Sequence, residues 1–392
     1  MPAANQSQLS RRVAQLNEYR EWAALVTQQT GKSLLTQFRE IRALKSTGGQ
    51  CGVSDYYWYK LYDQSYQKGR GAPDFLGWCL QEKFSLALNP RYAVLPAWDK
   101  FVLTQIAAES GLPVAPIRAS YHPAPHLSDA LGIHLKSRDA VGAFLRDPSI
   151  YPLFGKPAFS QQGFGSAYLA SYDPATDSLG QLNGGSIPVD DFLKRLDQTV
   201  DRRYHKPECG FLFQDGFTLA PEISALTKWS ALCGVRMMCL NGPQGVTPLR
   251  TFWKIAVPPN QVDNFSMGKY GNFLADVDPL TGEVSRMLGG FWPKTAILPT
   301  HPLSGKAIAG FRLPGWSKVL EACHLGGAVF PLMKIQHWDF ALTDKGPIIL
   351  ELNDIASTQA AQIHGHGLLT EVSRAFLKTH ANANHHPWVK AL

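Results

Sequence analysis

The residues whose types and spacing point most sharply to chemistry are Asp339, Glu351 and Asn353. The segment His337-Trp-Asp-Phe-Ala-Leu-Thr-Asp-Lys-Gly-Pro-Ile-Ile-Leu-Glu-Leu-Asn353 reads as a strand, a tight turn at Asp344-Lys-Gly346 and a returning strand. Glu351 and Asn353 are two positions apart and so share one strand face, with Asp339 on the facing strand. Three oxygen donors converging in this way suit a hard cation such as magnesium, with phosphate oxygens completing its shell. The competing reading is a half-exposed hairpin that happens to carry acids. The apolar run Ile348 to Leu350 argues for burial, and buried carboxylates are costly unless paired or bound to metal.

A second segment, Lys156-Pro-Ala-Phe-Ser-Gln-Gln-Gly-Phe-Gly-Ser166, could hold a polyphosphate. A lysine at a strand end supplies a point charge, and side-chain-free glycines let backbone N–H groups close over phosphate oxygens. No helix follows directly, so this is neither a P-loop nor a dinucleotide fingerprint. By itself it reads more readily as an ordinary glycine hairpin. Arg236, between Val235 and Met237 on an apolar strand, should be paired, because a lone buried arginine is costly. Lys100 reads equally well as a phosphate contact or a solvated helix lysine. Lys254 and Lys269 read as surface charge, although Lys254 is within reach of the site. His364-Gly-His366 lacks the cysteine or carboxylate spacing of a zinc site and reads as a loop beside the active site. Asp190, Asp191 and Asp201 read as capping and solvating a helix around Phe192 to Leu196.

Strands and helices must position these groups. Helical spacing runs through Leu9, Val13, Leu16, Tyr19 and Trp22, and again through Leu34 or Leu35, Phe38, Ile41 and Leu44. Tyr56, Tyr57, Trp58, Tyr59 and Tyr62 form either a sugar-stacking platform or, the better-supported reading, a packed aromatic cluster. Helices are predicted over Trp98 to Ala107 and Arg138 to Leu145. Strands are predicted at Tyr151 to Lys156, Ala167 to Ser171, Gly210 to Gln214, Gly234 to Leu240, Phe252 to Val257 and Ile348 to Leu352.

The 392 residues are 45% hydrophobic and 18% charged, enough to bury a large core and far from disordered composition. A formal net charge of +7 suits an anionic ligand, but the basic residues are scattered, so a nucleic-acid partner is not expected. Six cysteines without a Cys-x-x-Cys pair read as idle thiols in a reducing compartment. Met1 to Arg12 has no apolar core, and no apolar stretch nears the ~20 residues of a membrane helix. A cytoplasmic location without membrane insertion is expected; oligomeric state is left open.

Together the lysine strand, the glycine loop and the terminal Asp…Glu-x-Asn resemble the ATP-grasp pattern, and more narrowly the sugar-transfer-associated ATP-grasp family. The resemblance runs from about Trp98 to Leu369. It includes Asp99-Lys100, Gly111-Leu-Pro-Val-Ala-Pro116, Val262-Asp-Asn-Phe-Ser266, Val277-Asp-Pro-Leu-Thr-Gly282, His301-Pro-Leu-Ser-Gly305 and Gly315-Trp316, in the family's order. It implies an α+β ATP-grasp fold, two subdomains gripping ATP, behind a mainly helical N-terminal region. The expected divisions are 1–90, a small subdomain 91–215, a large one 216–380 and a tail 381–392.

The resemblance also implies roles. Lys100 and Lys156 would contact ATP phosphates, with Gly163, Gly165 and Ser166 as the lid loop. Gln214, Asp215 and Gly216 would form the hinge that meets adenine. Arg236 and Arg250 would face the transferring phosphate or the substrate carboxylate, while Asp339, Glu351 and Asn353 would hold Mg2+. Val235 stands where the family has threonine, and Gly268-Lys269 replaces a paired glycine, which leaves substrate identity open. The implied reaction joins a small-molecule carboxylate to an amine, either of them sugar-linked, through an acyl phosphate in polysaccharide or natural-product biosynthesis. A sugar phosphotransferase on the same scaffold, or a non-catalytic nucleotide-binding scaffold, are the alternatives.

Overall fold

The computed structural model describes residues 2–122, 129–160, 163, 165–196, 209–292 and 294–392. The chain divides into two compact units: residues 1–88 with 292–294 and 355–392, and residues 89–291 with 295–354. Residues 355–380, assigned above to the larger subdomain, therefore group with the N-terminal region. A buried amide explains why: the Gln362 side chain accepts from the Leu76 N–H and donates to the Leu76 carbonyl, each at 2.8 Å.

The first unit begins with three helices, α1 (Pro2–Thr30), α2 (Leu34–Leu44) and α3 (Val53–Trp58). Ser33 starts α2 by accepting the Thr36 N–H, one of the donors a helix start leaves unmatched. The aromatic stretch packs inward. Tyr56 and Tyr57 meet edge to face at 5.1 Å, Trp22 abuts Tyr57 at 5.7 Å and Tyr59 stacks on Phe75 at 5.3 Å. The Tyr57 hydroxyl donates to Gln37 at 3.1 Å. This is the packed cluster, not a stacking platform: Tyr56, Tyr57, Tyr59 and Tyr62 are all buried. His364 and His366 belong to this unit too, His366 in a backbone bridge with Lys68.

Among the described residues the second unit holds two seven-stranded sheets. The first contains β1 (Ile117–Tyr121), β2 (Ile133–Leu135), β3 (Leu153–Pro157), β4 (Ala167–Asp173), β5 (Ser178–Gln181), β6 (Ser186–Pro188) and β7 (Phe211–Asp215), in the order β2-β1-β7-β3-β4-β5-β6. Its core comes from Leu153, Leu169, Leu179, Phe211 and Phe213, packed against the helices Arg138–Leu145 and Val189–Leu196. Asp190 and Asp191 lie in the first turn of the latter helix, where negative charge is favourable; Asp201 lies outside the described residues.

The second sheet contains β8 (Gly234–Gly242), β9 (Gly245–Ile255), β10 (Phe273–Val277), β11 (Val284–Gly289), β12 (Ala296–Leu298), β13 (Ile335–Thr343) and β14 (Gly346–Asn353), in the order β12-β11-β10-β9-β8-β13-β14. Strand alternation gives it one apolar and one charged face. Val235, Met237, Trp253, Ala275, Trp338, Phe340 and Leu352 form the core with Val319, Ala322 and Cys323 of the helix Trp316–Val329. That helix comes so close at Gly326 that a Cβ there would lie 2.4 Å from the Trp338 ring, so glycine is required.

Candidate active site

The other face of the second sheet carries the chemistry, and the strand register orders it. One row runs Arg286 (β11), Asp276 (β10), Phe252 (β9), Arg236 (β8), Asp339 (β13) and Glu351 (β14), each opposite the next. A neighbouring row runs Arg250 (β9), Met238 (β8), His337 (β13) and Asn353 (β14). Because directly opposed residues share a face, six strands deliver arginines, carboxylates and an amide to one surface.

At the centre, Arg236 grips Asp339 through a two-pronged ion pair, its Nε donating to Oδ1 at 2.6 Å. Lys254 reaches the other oxygen of Asp339 at 3.2 Å and stands 3.6 Å from Asp263. Gly234 makes room for this: a side chain there would strike the Asp263 carboxylate and crowd the Lys254 ammonium. Burial alone would weaken every charge in the cluster. The opposite charges prevail for most members. Burial would raise the Asp339 carboxyl, but Arg236 and Lys254 hold it well below the usual carboxylate range. Asp339 likewise holds Arg236 charged against burial, and Asp263 with Asp339 does so for Lys254. His337, buried and beside Arg236, is pushed down to about 3 and stays neutral.

Glu351 differs. Its side chain keeps 29% exposure against 3% for Asp339, and its Oε1 accepts from Asn353 Nδ2 at 3.1 Å and lies 3.4 Å from Arg236. A partly open carboxylate beside an amide fits the hard-donor set of magnesium. Asp339, opposite Glu351, has both its oxygens engaged by Arg236 and Lys254. Among the described residues no group of three or more His, Cys, Asp or Glu side chains could hold a metal ion. The structure thus brings Asp339, Glu351 and Asn353 to one sheet face, with Asp339 also paired to Arg236 and Lys254. Lys254, read from sequence as surface charge, belongs to the site; Lys269 is exposed and lies over Tyr270.

Two lysines come to this end from the first sheet's side. Lys156, on β3, is buried and donates to the Leu350 carbonyl of β14 at 3.0 Å. Lys100 opens the helix Lys100–Ser110, whose N-cap Asp99 accepts the Phe101 and Val102 N–H groups, and its ammonium donates to the Ser160 carbonyl at 2.9 Å. It is half-buried and tied to that carbonyl rather than free in solvent; burial lowers its pKa while Glu351 and Asp99 oppose that shift. Burial and then Lys100 press Lys156 down to about 7, Glu351 working against them. Gly163 and Gly165 have φ of +72° and +74°, the left-handed region that glycine enters freely, and the Ser166 N–H donates to Gly163. Gln161, Gln162 and Phe164 of the same loop lie outside the described residues.

Gln214 and Asp215 end β7, and Gly216 follows it. Gln214 donates to the Ala115 carbonyl at 3.0 Å and Asp215 pairs with Arg118. The N–H groups of Asp215 and Gly216 donate to the Pro116 and Pro152 carbonyls, so adenine held here would have to be met by other atoms of the hinge. Arg250 is half-buried beside Asp276, whose charge opposes the pKa lowering that burial imposes.

Lys156 carries a prediction. Its folded pKa lies below the unfolded value, so between about pH 7 and 10.5 the unfolded chain holds a proton the folded one lacks, and stability rises with pH across that window. From pH 7 to 8.5 the gain is ~1.5 kcal/mol. Lys156→Met is expected to remove this increment from urea-unfolding curves and to weaken triphosphate binding at least ~10-fold. Equal pH slopes in both proteins would show that Lys156 is not desolvated.

A mixed sheet that brings lysines and a glycine loop to the charged face of an antiparallel sheet defines a protein of the ATP-grasp class. The chain belongs to the sugar-transfer associated ATP-grasp family, whose model matches residues 80–376. No curated protein sequence matches it. Among solved structures it is similar to the L-amino acid ligase of Bacillus licheniformis, at 9% identity and TM-score 0.36 over 72% of this chain and 48% of that one. It is also similar to the VanG D-Ala:D-Ser ligase of Enterococcus faecalis, at 11% identity and TM-score 0.39 over 73% and 61%. The D-alanine–D-alanine ligase of Helicobacter pylori gives 11% identity and TM-score 0.41 over 80% and 67%. The chain thus spans less than two thirds of the first two. Among the described residues no helix is long and apolar enough to cross a membrane.

Proposed function

We propose that the protein is an ATP-dependent carboxylate–amine ligase. The observation that carries this reading is the approach of Lys156 to β14: it brings a phosphate-neutralising cation to the strand that bears Glu351 and Asn353. ATP would lie between them, its phosphates on Lys100 and Lys156 and under the Gly163–Ser166 loop. Glu351 and Asn353 would hold magnesium, which neutralises phosphate charge when bound.

Arg236, fixed by Asp339, and Arg250 would steady the transferring phosphoryl group and the carboxylate. The substrate carboxylate oxygen attacks the γ-phosphorus, the bond to the β-phosphate oxygen breaks, and ADP leaves. An amine then attacks the acyl carbon and inorganic phosphate departs, leaving an amide. This work is positioning and charge neutralisation, so no side-chain nucleophile is required. The carboxylate would be an amino acid or a uronic acid and the amine an amino sugar or amino acid, in line with the family's association with sugar transfer.

Product analysis across a panel of those compounds tests the reading. A ligase releases ADP and free phosphate only when carboxylate and amine are both present. A phosphotransferase would release ADP without free phosphate.

A further inference from the structure

Helix α2 leaves an apolar surface bare. Leu34, Leu35 and Phe38 each keep more than half of their surface exposed, as does Leu16 on α1. Beside them Ala23 of α1, Leu34, Phe38 and Ile41 of α2 and Val53 and Tyr57 of α3 line an open groove of about 500 Å3. Helical period continues the line of Leu34 and Phe38 along α2 with Arg42 and Lys45, and both cations line the same groove. On α1 the same period puts Leu16 and Arg20 on the face that carries Ala23, and Glu18 and Glu21 on the far side. Apolar and cationic groups thus stand side by side on one face of these helices.

The cations have no counter-charge of their own. Glu40, the acid of α2, is engaged by Lys32 at 2.6 Å and accepts the Tyr56 hydroxyl. Arg20, Arg39, Arg42 and Lys45 are exposed and form no ion pair among the described residues. A groove whose walls stay largely in water cannot enclose a small ligand, because ligand pockets bury most of what they hold. An extended partner is needed, apolar where it meets Leu34 and Phe38 and anionic where it meets Arg42 and Lys45. A bilayer interface has that order, with acyl chains beneath a negatively charged headgroup layer. Cations spread over two helices also suit a layer of headgroup charges better than a single acid on a protein.

We propose that this face of α1 and α2 docks on an anionic phospholipid membrane. Leu16, Leu34, Leu35 and Phe38 enter the acyl boundary, while Arg20, Arg39, Arg42 and Lys45 lie among the headgroups. The contact is adsorption, with no segment crossing the bilayer. The chain's net charge of +7 favours the same approach. Each cation near an anionic leaflet strengthens binding about 5-fold, and salt screens that part. The proposal does not depend on the nucleotide chemistry of the second unit.

Sedimentation of the full chain with vesicles tests this, using phosphatidylcholine alone and phosphatidylcholine with about one third phosphatidylglycerol. Wild-type protein should bind the anionic vesicles and bind the neutral ones at least ~10-fold more weakly, with the difference shrinking at high salt. Arg42→Gln with Lys45→Gln should weaken binding to the anionic vesicles about 25-fold. Phe38→Ser should weaken it about 10-fold at any salt concentration. All three side chains are exposed, so thermal unfolding and triphosphate binding should stay as in wild type. No binding to the anionic vesicles, equal binding to both compositions, or variants that bind like wild type would overturn the proposal. A dimer of the free chain that Phe38→Ser dissociates would overturn it as well, and would give the face to a second copy.

Discussion

Replacing Asp339 with alanine is expected to cost the folded state about 3–5 kcal/mol, the largest stability loss of any single substitution on the charged face. The reason is the company it keeps. Arg236 and Lys254 are almost wholly enclosed, and Asp339 engages both. Without its carboxylate two cations remain out of water with only Asp263 and a more distant Glu351 nearby. A double variant, Arg236→Met with Asp339→Leu, removes the larger pair together and should lose less than Asp339→Ala alone, since deleting a buried pair is cheaper than orphaning one member.

The pH dependence has a definite sign. Asp339 is held below the ordinary carboxylate range, so its contribution is complete above that range and is lost as pH falls toward the folded value. Chemical denaturation of the three proteins at neutral pH would settle it. A single variant as stable as wild type would mean that Asp339 is not the counter-ion of this cluster.

Glu351→Ala should behave in the opposite way. Glu351 is partly open and lies farther from Arg236, so stability is expected to change by no more than ~1 kcal/mol. Magnesium-dependent nucleotide affinity, in contrast, should fall at least ~100-fold, because a direct donor is lost where even supporting residues cost 10–100-fold. Calorimetric titration of ATP with and without magnesium reads this. Unchanged magnesium dependence would remove Glu351 from the metal site, whatever the effect of Asp339. The contrast between two acids paired across β13 and β14 is the sharpest prediction of the geometry.

Sequence made the β13–β14 hairpin legible, because Asp344-Lys-Gly346 marks the turn and the flanking residues alternate. It also found the lysine strand and the helix Arg138–Leu145, where local signals agree with the tertiary structure. It did not find β10, β11 and β12, which are short and take their pairing from neighbours rather than from their own propensity. The preference for surface charge at Lys254 has a physical cause. Alternation along Phe252-Trp-Lys-Ile255 shows that one face of β9 is polar, but not whether that face meets water or a buried counter-charge. The pairing of Asp339 with Arg236 was hidden for the same reason, the two being 103 positions apart. Arg286 and Asp276 carried no sequence signal of their own; strand register alone brings them into the row.

The most direct test of the account is a trap for the activated carboxylate. Wild-type protein, magnesium-ATP and hydroxylamine would be incubated with each carboxylate of the panel, and hydroxamate and ADP measured together. Acyl-phosphate chemistry is expected to give hydroxamate and ADP in equal amounts with at least one carboxylate, and neither with Glu351→Ala. ADP formed without hydroxamate, accompanied by a stable phosphorylated product, would contradict it and assign the site to a phosphotransferase.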